Sequence, residues 1–518
     1  MTGEPQGPLF GDAGLWRRPE RQSESEVGER KARVKPVNRA QMLFRPVDVE
    51  RLVGADHPAR AIWELVGERD LSRFYDQIDA VDGVAGRPAH DPRLLISLWI
   101  YGYIDGIPSA REISRRCEYD PAYQWLTGAN PVCAHTLSDY RTAHAEALKD
   151  LAAQVLALLA GEGLIDLDSV TQDGTKIRAL AGSDTFRRQG TIEKHLEQAR
   201  QRLTELEGDD DEVSRRTMAA RQRAAREKVD RMQQALRELE KVRETRSGAE
   251  KDKARVSLTD PESRIMKQND SGFAPSFNVQ VTTDTKTKVI ASVDVTQDSS
   301  DARQLQPAVQ RLEEEAGQAP RQVITDGGYT SRENVVAMAS AEVDLIGPAL
   351  DGDVQKQALY AKRGVAPDFR PEGFRFNVID NTYTCPTGKT LGYVGKCTFV
   401  GQTKYTYRAE QGDCQGCPHK AQCCGTSGNG RSIVRTEDGP EMSAFRAKME
   451  TAEAKNRFKK RGEVAEFPHL WIKEKFGLRR FSVRGLDKVK IEAQWVCLTY
   501  NIQQWIRLCW KARRLVTE

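Results

Sequence analysis

The sequence predicts an α/β protein, a mixed sheet with helices on its faces, carrying two inserts and preceded by a helical domain. Three observations support this. Two β-branched stretches each hold an acid followed by glycine, Asp173-Gly174 and Asp326-Gly-Gly328. Between them, Phe277-Asn-Val-Gln-Val-Thr-Thr283 and Val289-Ile-Ala-Ser-Val-Asp-Val295 flank the polar turn Asp284-Thr-Lys-Thr-Lys288 and read as a hairpin. A helix over about residues 300–316 leads into the second acid-bearing strand, so strands and helices alternate.

Taken in order, residues 1–40 read as a disordered basic tail able to touch DNA phosphates. The 518 residues carry 79 Lys+Arg against 75 Asp+Glu, a net charge of +4, so any basic surface is local. No apolar run reaches bilayer length and the amino terminus lacks a signal pattern, which predicts a cytoplasmic protein with no membrane partner. Residues 41–160 read as a helical N-terminal DNA-binding domain. Asp91-Pro92 starts a core helix that runs to Tyr103. Ser109 and Glu112 are spaced as a capping box for a second, and a third spans Thr136–Leu148. This spacing suits a helix-turn-helix bundle that presents Arg111, Arg115 and Arg116 to DNA; a packed helical adaptor with solvated arginines is the alternative.

The core is expected in three pieces, residues 161–187, 260–349 and 440–512. Leu164 to Arg178 alternates as a strand and exposes Asp173 as a terminal acid. Residues 188–250 form the first insert, where Ile192, Leu196, Ala199, Leu203 and Leu206, then Ala225, Val229, Met232, Leu236 and Leu239, recur at helical spacing. The Gly208-Asp-Asp-Asp-Glu212 break makes this an antiparallel helical hairpin, solvated or forming a dimer contact. In the second acid-bearing strand, Arg321–Asp326, Gly327 and Gly328 turn the chain and leave the carboxylate at the mouth of the sheet.

Residues 350–435 form a Cys-rich insert. Cys385, Cys414, Cys417 and Cys423 offer four soft ligands for a structural zinc ion, with His419 or Cys424 as substitutes and reduced loop cysteines as the bland reading. Beyond it, Glu463 and Glu466 lie three apart on a helix. The loop Lys475–Gly485 interleaves Arg479, Arg480 and Arg484 with Phe476 and Phe481, which suits a strand-gripping surface. The helix from about Lys490 to Leu508 buries Trp495, Leu498, Ile502 and Trp505.

Strand with acid, helical insert, hairpin, helix, strand with acid is the element order of an RNase H-like core. Asp173, Asp326 and Glu466 would then hold two magnesium or manganese ions, with Glu463 as the rival third acid. The motifs Gly86-Arg-Pro-Ala-His-Asp91-Pro, Tyr101-Gly-Tyr103-x5-Ser109-x-Arg111, Asp173-Gly-Thr-Lys176, Asp260-Pro-Glu-Ser-Arg264-Ile-Met-Lys267 and Phe277-Asn-Val-Gln280 come first. Thr325-Asp326-Gly-Gly-Tyr329, Arg461-x4-Glu466-x6-Lys473 and Arg479-Arg-Phe481-x2-Arg484-Gly485 follow. With them the chain resembles bacterial insertion-sequence transposases of the DDE class. The resemblance implies an RNase H-like fold, magnesium dependence, binding of double-stranded terminal inverted repeats as an oligomer, expected to be a homodimer, and cut-and-transfer chemistry on target DNA. It also implies that Lys473 helps hold the DNA end, and Arg461 is a further DNA-binding candidate.

Three departures stand out. Phe458 occupies a position where the family signature has tyrosine, the step from Arg461 to Glu466 is one residue longer, and Pro468 predicts a kink. Lys473, seven residues after Glu466, keeps the family offset. Two other readings remain: a metal nuclease of the same fold, and a non-catalytic DNA-binding zinc protein.

Overall fold

Caps and prolines set where the N-terminal helices begin. Helix α1 (Pro58–Gly67) starts on a proline with His57 accepting the Ala59 N–H. After the short α2 (Ser72–Tyr75), α3 (Pro92–Ile104) starts the same way with Asp91 as its cap. Helix α4 (Ala110–Tyr119) is capped as its spacing predicts, the Ser109 hydroxyl accepting the Glu112 N–H at 3.4 Å. Helix α5 (Pro121–Thr127) follows. The expected third helix is two, α6 (Ala134–Ala143) and α7 (Ala145–Gly161), because His144 leaves helical geometry. Its ring is fixed against Phe74 and Tyr140 and its Nδ1 lies 2.7 Å from Gln77 Oε1, so tertiary contacts override local propensity.

The computed structural model describes residues 42, 46–80, 87–207, 215–268, 270–349, 359–400, 402–424 and 430–511, and those from Asp48 onward form one compact unit. The basic tail, Gly86 and the Gly208–Glu212 break lie outside the described residues. No described helix is long and apolar enough to cross a membrane.

The main sheet is mixed, with helices on its faces. Strand β1 (Ser169–Arg178) is followed by β2 (Phe186–Arg187), the paired insert helices α8 (Gln189–Glu207) and α9 (Arg215–Glu244), and β3 (Val256–Ser257), which pairs with β2. Then come β4 (Arg264–Lys267), β5 (Phe273–Asp284), β6 (Ile290–Thr296), α10 (Leu305–Ala316), β7 (Gln322–Thr325), α11 (Arg332–Ser340) and β8 (Asp344–Ile346). The order is β4-β5-β1-β7-β8, with β6 on the β4 side of β5. Strand β5 is antiparallel to β1, β4 and β6, whereas β7 is parallel to both β1 and β8. The hairpin turn is longer than the tightest type because Asp284 Oδ1 accepts the Lys286 and Thr287 N–H groups, while Lys288 takes φ 65.

The Cys-rich insert folds as a separate five-stranded antiparallel sheet, β9 (Arg375–Asn377), β10 (Thr382–Thr384), β11 (Thr390–Phe399), β12 (Gln402–Ala409) and β13 (Ser432–Asp438). Four helices end the described chain: α12 (Pro440–Glu450), α13 (Ala452–Lys459), α14 (Arg461–Leu470) and α15 (Leu486–Trp505).

One apolar core joins α1, α3 and α7 to the sheet face bearing Ile177, Phe277, Val279 and Val281, and to α15. The helical N-terminal region and the sheet therefore share a core. Trp99 and Trp495 are buried in it, and Trp495 Nε1 donates to Arg141 O at 3.1 Å. Arg141 itself pairs with the fully buried Glu492 at 3.2 Å. A second core, at the β7–β8 end of the sheet, gathers α10, α11, α12 and Phe458, so the ring at the departed tyrosine position has an apolar environment. The Asp260–Arg264 motif ties the helical insert to this body. Glu238 of α9, fully buried, pairs with Arg264 and accepts from Gln297, while Glu262 Oε2 accepts the Leu486 N–H at the start of α15.

Candidate active site

Strands β1 and β7 pair in parallel from Ser169↔Gln322 to Gln172↔Thr325. The next residue on each is an acid, so the register itself sets Asp173 beside Asp326. Asp173 is not the exposed terminal acid the sequence suggests. Strand β1 continues past it to Arg178 because β5 extends alongside, and only 16% of the Asp173 side chain is exposed, against 43% for Asp326. Asp326 closes a side-chain turn, its Oδ1 accepting the Gly328 N–H at 2.8 Å.

Helix α14 packs over β1 and brings Arg461 and His469 to Asp173. Arg461 Nη2 lies 3.0 Å from Asp173 Oδ1 and 3.9 Å from Asp326 Oδ2, and His469 Nε2 lies 3.5 Å from Asp173 Oδ2. Burial pushes the Asp173 carboxyl up, but His469, Arg461 and the Gly174 N–H outweigh it and hold the group below the usual range. Burial raises Asp326, and repulsion from Asp173 and Asp301 adds to this while Gly328 and Arg461 oppose it; the net shift is upward. The paired acids are thus pushed apart, as expected for neighbouring carboxylates. Lys473 is half-buried; burial lowers its ammonium pKa, Asp173 opposes that, and Lys176 and Arg479 add to it.

Glu463 and Glu466 are both exposed. At about 100° per residue, Glu466 stands about 60° from His469 around the helix and Glu463 about 120°. Val464, Ala465 and Pro468 form the buried face. The Glu466 carboxylate lies back beside Gly462, 3.9 Å from where a Cβ there would sit, and makes no ion pair with a described residue. Pro468, where a kink is expected, lies inside a helix that runs on to Leu470 and is followed by a π-helical turn, Trp471–Lys475.

A second polar network lies beneath the acids, and sequence reasoning missed it. Asp301 accepts from Lys176 Nζ at 3.0 Å, Asn278 Nδ2 at 2.7 Å and Gln280 Nε2 at 2.8 Å, and the Tyr329 hydroxyl donates to Gln280 Oε1. Gly174 is needed here for room: a Cβ would come within 3.0 Å of Gln280, Asp301 and the Tyr329 hydroxyl. The Asp173–Lys176 motif and Phe277–Gln280 were visible as motifs, but nothing in the sequence joins them to Asp301.

The remaining candidates are spread over the surface. Arg111 and Arg115 are exposed on α4, with Arg115 paired to Glu112 at 2.8 Å. Arg116 is engaged by Glu112, Asp120 and Asp105, which ties α4 to its neighbours. Arg479, Arg480 and Arg484 are exposed, Arg479 in an ion pair with Glu474. Phe476 and Phe481 do not suit the strand-gripping role assigned to them: both are buried, Phe481 edge-on to Phe277, and they anchor the loop from below.

In the insert, Cys385 Sγ accepts the Lys389 N–H at 3.2 Å and Cys414 Sγ the Arg431 N–H at 3.3 Å. Cys423 packs with both in one apolar cluster, and burial, with Cys424, Cys414 and Cys385 nearby, pushes its thiol up to about 11 against the pull of Arg431. Cys417 is half-buried. Among the described residues no three His, Cys, Asp or Glu side chains stand arranged to hold a metal ion. At the acids, Arg461 occupies the space between the pair and Glu466 points elsewhere; at the cysteines, the thiols have not closed into a shell.

The site therefore combines a helical N-terminal region, two acids juxtaposed by parallel strands, and Arg461 and His469 over them. Residues 47–143 match the family model Transposase domain (DUF772), and residues 384–506 match the Transposase DDE domain. The two matches support an insertion-sequence transposase of the DDE class, the family that the motifs resemble. The second match takes in Arg461, Glu466 and Lys473, whereas Asp173 and Asp326 lie between the matched stretches. No curated protein shows a significant match to the chain.

Proposed function

We propose that the protein binds the terminal inverted repeats of its element as a homodimer, cleaves the ends, and joins them to target DNA by phosphoryl transfer at Asp173, Asp326 and Glu466. The observation that carries this is the β1–β7 register, which seats two carboxylates of unequal basicity side by side beneath Arg461, His469 and Lys473. Their hard oxygen donors fit magnesium or manganese. Such ions, when bound, supply activation of the attacking water or 3′-hydroxyl and stabilisation of the leaving oxygen.

Asp173 and Asp326 hold that charge in place, and Glu466 completes the set when its side chain turns from Gly462 toward His469. Lys473 and Arg461 bind phosphates flanking the scissile bond, with Arg479, Arg480, Arg484, Arg111 and Arg115 continuing the grip along the duplex. In the insert, Cys385, Cys414, Cys417 and Cys423 close around a structural zinc ion. The reading is supported by the cluster that Cys385, Cys414 and Cys423 share and the backbone N–H groups aimed at two of the sulfurs. Metal analysis of protein prepared without chelators should find one zinc per chain; none would remove that assignment.

Labelled DNA from either side of the gene, incubated with the protein, magnesium and a target plasmid, separates the activities. Joined product supports the transposase. Cleavage without joining would make the protein a nuclease of the same fold, and binding without cleavage a non-catalytic DNA-binding protein.

A further inference from the structure

Both oxygens of Asp173 already face protein nitrogens. Oδ1 accepts the Gly174 N–H at 3.0 Å and meets Arg461 Nη2 at 3.0 Å, while Oδ2 faces His469 at 3.5 Å. The same Arg461 nitrogen reaches Asp326, so one guanidinium spans the acid pair. It is 15% exposed and cannot lose its proton, which makes it a permanent positive charge at the point where divalent cations would sit. Yet it is incompletely held, since its buried Nε has no hydrogen-bond partner among the described residues. Arg461 is also the first residue of α14, after the joint at Lys460 that separates it from α13, so its side chain can leave without unwinding a helix.

We propose that Arg461 is a resident counter-cation that compensates Asp173 and Asp326 in the free protein and moves to a DNA phosphate when the duplex arrives, opening the acids to divalent ions. The inference rests on the two-acid metal site proposed above. A phosphate offers the guanidinium a bidentate partner that the separated carboxylate oxygens do not, which supplies the reason for the transfer. The order of assembly is then DNA first and metal second, so the free protein does not carry a loaded hydrolytic centre.

The test is Mn2+ binding by the full chain, followed by calorimetry and by the spin signal of free Mn2+, with and without duplex carrying the DNA that flanks the gene. Wild type should bind Mn2+ weakly alone and at least about tenfold more tightly with duplex. Arg461→Gln should bind at least about tenfold more tightly than wild type without duplex and gain less from it, with Arg461→Lys between the two. Adding Asp173→Asn to Arg461→Gln should abolish the gained site. Equal or weaker Mn2+ binding by Arg461→Gln in the absence of duplex would overturn the inference, as would a gained site that survives Asp173→Asn. If wild type with duplex shows no Mn2+ site that Asp173→Asn removes, the two-acid reading itself fails.

Discussion

Gly174 shows how tightly the polar layer beneath the acids is filled. Gly174→Ala would drive a methyl group against Gln280, Asp301 and Tyr329, and should cost about 1–3 kcal/mol in denaturant unfolding. Asp260 makes a second residue-scale case. It has no exposed surface, and burial, opposed by the Gly485 N–H and reinforced by Glu262, pushes its carboxyl up to about 6. Because the folded value is raised, its stabilising contribution is complete below about pH 4 and is lost as pH rises through about 6. That loss is about 3 kcal/mol at neutral pH. Urea unfolding from about pH 4 to about pH 7 should show it in wild type and not in Asp260→Asn. Among the site residues, Asp173 and Asp326 were legible because an acid before glycine at the end of a β-branched run is a local pattern. Asp301 and His469 were not: each acts on a partner more than a hundred residues away in sequence or across an element boundary, and neither has a local signature.

At the scale of elements, the helical hairpin depends on one buried carboxylate. Glu238 joins α9 to Arg264 and Gln297 of the sheet. Glu238→Ala would leave Arg264 without its partner and should cost about 3–5 kcal/mol. Limited proteolysis should then cut residues 189–244 well before the rest of the chain, a preference absent in wild type. The sheet strands could be read from the sequence as β-branched runs bounded by turn residues, although β5 and β7 are buried on both faces, and the amphipathic α8 and α9 because each buries one face, so apolar residues recur at helix spacing. The five strands of the Cys-rich insert could not. Strand β11 exposes nearly every side chain, leaving no alternation to detect. The buried face of Val464, Ala465 and Pro468 keeps α14 continuous through the proline.

Across the whole molecule, the helical region and the sheet share Trp99, Trp495 and the Arg141–Glu492 pair, a continuity that no linear pattern reveals. Trp495→Ala should cost about 3–5 kcal/mol and lower the unfolding midpoints of the N-terminal helices and the sheet together. Separate midpoints would mean two independently folding parts. The central claim is that catalysis resides where β1 and β7 set Asp173 beside Asp326. Cleavage of labelled flanking DNA with magnesium, measured alongside gel-shift binding for wild type, Asp173→Asn and Asp326→Asn, tests it most directly. Both variants should bind the DNA about as well as wild type and cleave none of it; cleavage at the wild-type rate by either variant would contradict the account.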